Sequence, residues 1–158
     1  MSDLMSGLFR VPEPKTVPTG SIDITFAHSK LISLDAVVRN LRRKNKSDRA
    51  IKIGHLKVSI PEMKNSIRSA RADIKEKELA QESVVSGRIS HMNQMYRDHG
   101  RESELYKMAR NSVYGAQNVL EYYVKDLPEK IQEYKDFVSS CDRVLDSWIE
   151  FDSRSQYH

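Results

Sequence analysis

Met63, Ile74, Val85 and Tyr96 stand eleven residues apart in a stretch with no internal stop stronger than a single glycine. Ile67 and Ile89 fill the second position of the same repeat, and Ala70 and Met92 the third. The middle repeat carries Glu78 and Gln81 instead. An eleven-residue period corresponds to about 3.67 residues per turn, so the stripe runs almost straight along a helix. This pattern predicts one helix from Pro61 to about His99, ended by Gly100, whose backbone freedom suits a helix C-terminus. Ser59-Ile60-Pro61-Glu62 has the S-x-x-E spacing of a capping box, with proline in the first turn where its missing N–H costs little.

A long apolar stripe needs long partners. Leu105, Ala109, Val113, Ala116, Leu120, Tyr123 and Leu127 recur at steps of three and four, and so do Ile131, Tyr134, Val138, Cys141, Leu145 and Trp148. Asp126-Leu127-Pro128 between them reads as a short connection, so the two segments are expected to run antiparallel. The predicted core is therefore mainly α: a long helix packed against an antiparallel helical hairpin, an elongated, coiled-coil-like bundle over 61–152. The hairpin is too short to cover the whole long helix. Met63, Ile67, Ile74, Val85, Ile89, Met92 and Tyr96 are accordingly the candidate oligomer interface of a homo-oligomer.

The chain before Pro61 reads differently. Residues 1–20 hold three of the five prolines and read as a flexible arm, in which Leu4, Met5, Leu8 and Phe9 form one candidate apolar turn. Ser21–Ala27 alternates Ile22, Ile24 and Phe26 with polar neighbours, and 51–60 alternates Ile51, Ile53, Leu56, Val58 and Ile60 around Gly54. Both predict short β-strands. Between them, Ser33 is expected to cap a short helix with Leu34, Val37, Val38 and Leu41 on one face. Residues 21–60 thus read as a basic β-α-β segment, and 153–158 as a tail.

That segment holds the strongest functional signal. Arg39, Arg42, Arg43, Lys44, Lys46, Arg49, Lys52 and Lys57 face a single acid, Asp48, between 39 and 57, a local charge of +7 in a chain of net +4. Lys64, Arg68, Arg71 and Lys75 continue it at steps of four, three and four, one position over from the apolar seam. Concentrated positive charge selects polyanions through its long-range field. These twelve residues are the candidate nucleic-acid-binding set. No aromatic residue lies between Ala27 and Tyr96, so the stacking platforms of single-strand readers are missing from this stretch. Backbone-directed binding of low sequence specificity is expected, RNA before DNA and duplex before single strand. A small viral packaging or accessory protein fits that description. The alternatives are a peripheral, matrix-type scaffold whose cations meet anionic lipid, and a coiled-coil adaptor docked on an acidic protein.

Enzymatic chemistry finds no foothold. GxxxxGK[ST], GxGxxG, GxSxG and HExxH are absent. His91 and His99 are eight apart, and the positions three before them are Arg88 and Tyr96, so no Glu-x-x-His pair exists. No cofactor, metal or small-molecule substrate is expected. Cys141 is the single cysteine and reads as a buried small hydrophobe, and most tyrosines read as core-edge residues. With no secretory signal and no apolar run near ~18 residues, the expected setting is intracellular, cytoplasmic or nuclear.

Overall fold

A computed structural model describes residues 8, 10–12 and 25–154, with side chains from 28 onward in the longer segment. The candidate apolar turn (Leu8 apart), most of the arm, the first strand's start and the 155–158 end lie outside the described residues. The elements are α1 (Thr25–Asn40), a 3-10 turn (Leu41–Arg43), α2 (Lys46–His99), α3 (Glu104–Glu121), a π-helical turn (Tyr122–Asp126) and α4 (Leu127–Arg154). The described chain is all-α, with no strand.

Several sequence expectations change. The second strand over 51–60 is helix, because α2 begins at Lys46. Its apolar residues were ambiguous between periods of two and 3.6. Ile53, Leu56 and Ile60 are buried, whereas Ile51 and Val58 remain 59% and 60% exposed. The buried positions continue through Met63 and Ile67 at steps of three and four, which is helical spacing. Pro61 lies inside α2 rather than opening it. Both Pro61 and Lys57, whose carbonyl loses its ladder partner there, are exposed, so water can satisfy the break. The segment that begins the first expected strand's described part, Thr25–Ala27, is the start of α1. Ser33 sits inside that helix and donates to the Ser29 carbonyl at 3.3 Å instead of capping.

The expected turn at Asp126-Leu127-Pro128 is absent. Leu127 N–H donates to the Tyr122 carbonyl five residues back, the π spacing, and the helix continues. A π turn inserts one extra residue into the ladder, and this one directly precedes Pro128, which has no N–H to offer. The real reversal is at 100–103. Gly100 adopts φ 83, and Ser103 then caps α3, its Oγ accepting from Leu105 N–H at 3.1 Å and Tyr106 N–H at 3.3 Å. The predicted end of the long helix at Gly100 holds.

The chain forms two compact units. In the first, α1, the part of α2 up to Ala70 and α4 from Lys130 pack together. Leu31, Leu34, Val38 and Leu41 from α1, Ile53, Leu56, Ile60 and Ile67 from α2, and Ile131, Phe137, Val138, Cys141, Val144, Leu145 and Trp148 from α4 are buried. Ion pairs Arg49–Asp152 and Lys64–Asp142 show α2 and α4 running antiparallel.

In the second unit, the rest of α2 pairs with α3. Arg88 donates to the Ser112 carbonyl at 3.1 Å and Gln81 to the Ala116 carbonyl at 3.0 Å, while Tyr96 and Tyr106 meet edge to face at 5.5 Å. These pairings are again antiparallel. The α3 face is built from Ala109, Val113 and Ala116, small residues that bury little area each. Gln81, in the polar middle of the repeat, is half-buried there and satisfies its amide on backbone.

Candidate polyanion-binding surface

The basic cluster falls on the corner between α1 and α2. Leu41–Arg43 turns as 3-10 helix, Lys44 is extended at φ −98, ψ 151, and Asn45 caps α2, its Oδ1 accepting from Asp48 N–H at 2.9 Å. Arg42, Arg43 and Lys46 are exposed and Lys44 is half-buried. Four cations thus lie within five residues of a tight, hydrogen-bonded turn.

Arg49 builds that turn instead of belonging to the surface. It is 6% exposed. Its Nη1 donates to the carbonyls of Leu41 and Lys44, while Nε and Nη2 donate to Asp152 Oδ2 and Oδ1 at 2.8 and 2.7 Å. The guanidinium stacks 4.5 Å over the Trp148 ring. The hydrogen bond to Asp152 pushes the guanidinium pKa up, against burial, which pulls it down. A buried charge with a forked partner of opposite sign and two carbonyls is well satisfied. It fixes the backbone from which Arg42 and Arg43 project.

The other candidates disperse. Arg39 is exposed and paired with Asp35 at 2.8 Å. Lys64 reaches Asp142 at 2.7 Å, with both side chains part-exposed. Lys52 is half-buried on the opposite flank of the α2 seam from Lys57 and Arg68, which are both exposed. Arg68 donates to Asn65 Oδ1 at 2.9 Å. Arg71 and Lys75 are exposed but belong to the second unit. Of the twelve, the structure gathers Arg42, Arg43, Lys44 and Lys46 closely, places Lys57 and Arg68 further along one side of α2, and withdraws Arg49 into the core.

Charge divides between the units. The first unit's helical segments, 25–70 and 130–154, hold fifteen Lys and Arg against nine Asp and Glu, while 71–129 hold nine against ten. The field is thus concentrated on the unit that carries the corner.

The candidate oligomer residues are largely occupied within the chain. Ile67, Ile74 and Val85 are buried, Met63, Ile89 and Met92 half-buried, and Tyr96 exposed with its ring on Tyr106. Sequence reasoning missed Asp152 and Trp148 as partners of the basic segment. No local signal could have found them, since Arg49 and Asp152 are 103 residues apart.

A groove of about 280 Å³ between α1 and α2 is lined by Leu34, Val37, Leu56 and Met63, with Lys30 and Glu62 among its polar residues. Among the described residues no helix is long and apolar enough to cross a membrane. The chain matches no protein-family model, no curated protein and no solved structure.

Proposed function

We propose that this is a non-enzymatic helical protein that binds nucleic acid through its phosphate backbone, duplex RNA in the first place, with the α1–α2 corner as the contact. The observation that carries the reading is the set Arg42, Arg43, Lys44 and Lys46, four cations in five residues on a turn braced by Arg49. Pre-ordered cations lose less side-chain and backbone freedom on meeting phosphate than a mobile basic tail does. Arginine forks fit phosphate oxygens with two bonds at once. No aromatic platform accompanies them in this stretch, so the contact supplies affinity and little sequence reading.

The test is fluorescence anisotropy at low salt with duplex RNA, the matching single strand and anionic vesicles. Arg42→Glu/Arg43→Glu/Lys46→Glu should weaken duplex binding at least about tenfold while the thermal melt stays near wild type. Absence of duplex binding, or preference for vesicles, overturns the reading.

A further inference from the structure

Helix α2 carries a second seam. The inner one, Arg49, Ile53, Leu56, Ile60, Met63 and Ile67, faces the first unit's core. Two residues offset from it, roughly 200° around the helix, run Ser47, Ile51, Gly54, Val58, Pro61 and Asn65. All six are exposed and none is charged. Their steps are four, three, four, three and four, the spacing of a coiled-coil seam. Ile51 and Val58 are 59% and 60% exposed, and a Cβ built on Gly54 would meet nothing within 4 Å. The centre of this face is therefore open helix with two large apolar side chains on it.

We propose that this outer seam is the contact between two copies of the chain, paired in parallel and in register along the first part of α2. The flanking charges choose the occupant. With Ile51 and Val58 at one core position and Gly54 and Pro61 at the other, Lys57 borders the seam on one side and Glu62 on the other, both exposed. In a parallel pair, a residue on the first flank faces the residue five further on in the second copy. Lys57 then meets Glu62 of the second copy, and the two-fold axis repeats the pair. The neighbouring flank pairs are Ala50 with His55 and Lys64 with Ser69, none of like charge. An antiparallel pair would instead set Lys57 and Lys64 against the same lysines. Self-association is thus moved from the eleven-residue seam, which the fold itself largely covers, to the helix's other side. The inference does not depend on nucleic-acid binding and uses none of the four corner cations.

The experiment is sedimentation equilibrium of the full chain over a range of concentrations, with circular dichroism melts to verify folding. The wild type should dimerise. Val58→Glu should leave a folded monomer, because it places a carboxylate in each copy's apolar contact. Lys57→Glu and Glu62→Lys should each weaken the dimer about tenfold by turning two attractive pairs repulsive, and the double swap Lys57→Glu/Glu62→Lys should restore it. A monomeric wild type, a dimer indifferent to Val58→Glu, or a double swap no better than either single change overturns the proposal.

Discussion

Arg49 and Asp152 form a two-pronged ion pair, 2.7 and 2.8 Å long, between residues 103 apart in the chain. One prong-bearing side chain thereby ties the α1–α2 turn to the last turns of α4, and Trp148 closes the other face of the guanidinium at 4.5 Å. The clamp is what makes a run of like charges compatible with a defined turn. Without it, Arg42, Arg43, Lys44 and Lys46 would repel along a loose loop.

Removing one partner should be costly. Asp152→Ala leaves a buried arginine without its counter-charge and should lower stability by about 3–5 kcal/mol in urea unfolding. Arg49→Met/Asp152→Leu removes both charges and should cost clearly less than Asp152→Ala. Equal losses for the single and double variants would show that packing, not charge pairing, holds this corner.

The glycines make opposite forecasts. Gly54 and Gly100 both have open space where a Cβ would go, but only Gly100 has a positive φ, 83. Gly54→Ala should raise stability by ~0.5–1 kcal/mol through better helix propensity. Gly100→Ala should lower it by about 1 kcal/mol, since an L side chain is strained there. Thermal melts measure both.

Cys141 makes the fold sensitive to alkali. Burial, helped by nearby Asp35, pushes its thiol from 9.0 up to about 12. The unfolded chain then holds fewer protons than the folded one above the ordinary thiol range. Stability from this group is complete below about pH 9 and is lost as pH rises toward 12, by about 1.4 kcal/mol per unit at most. The difference between wild type and Cys141→Ala should shrink along that window. The thiol should also resist alkylation at neutral pH until urea opens the core.

The two units should differ in local stability. The first buries Trp148, Tyr134 and Phe137 at 0–1% exposure, while the second pairs α2 with a face of Ala109, Val113 and Ala116 and a half-buried Gln81. Native-state hydrogen exchange should give lower opening free energies for amides in 75–95 and 106–116 than for those in 53–68 and 134–148. Uniform protection would contradict this.

The sequence was most readable where one period ran long. From Met63 to Met92 the eleven-residue seam places its residues toward the interior in fact, down to the half-buried Glu78 and Gln81, and only its last member, Tyr96, stays exposed. It misled where two periods coincide. Ile51 and Val58 lie on an outer seam and Ile53, Leu56 and Ile60 on an inner one, and their interleaving imitates a strand. Proline misled twice, because Pro61 and Pro128 each lie in continuing helix, one at an exposed position and one just after a π turn. At the basic patch, the exposed corner was legible as charge density alone. The burial of Arg49 was not, since its partner comes from the far end of α4 and long-range pairing leaves no local trace.

The most direct measurement is the salt dependence of duplex RNA binding. If the four corner cations each meet one phosphate, log Kd plotted against log salt should rise with a slope of about 3.5, so that affinity falls roughly a hundredfold between 50 and 200 mM. Charge reversal at Arg42 and Arg43 should cut that slope by about half. A slope near zero, or one unchanged by the reversal, would contradict the account.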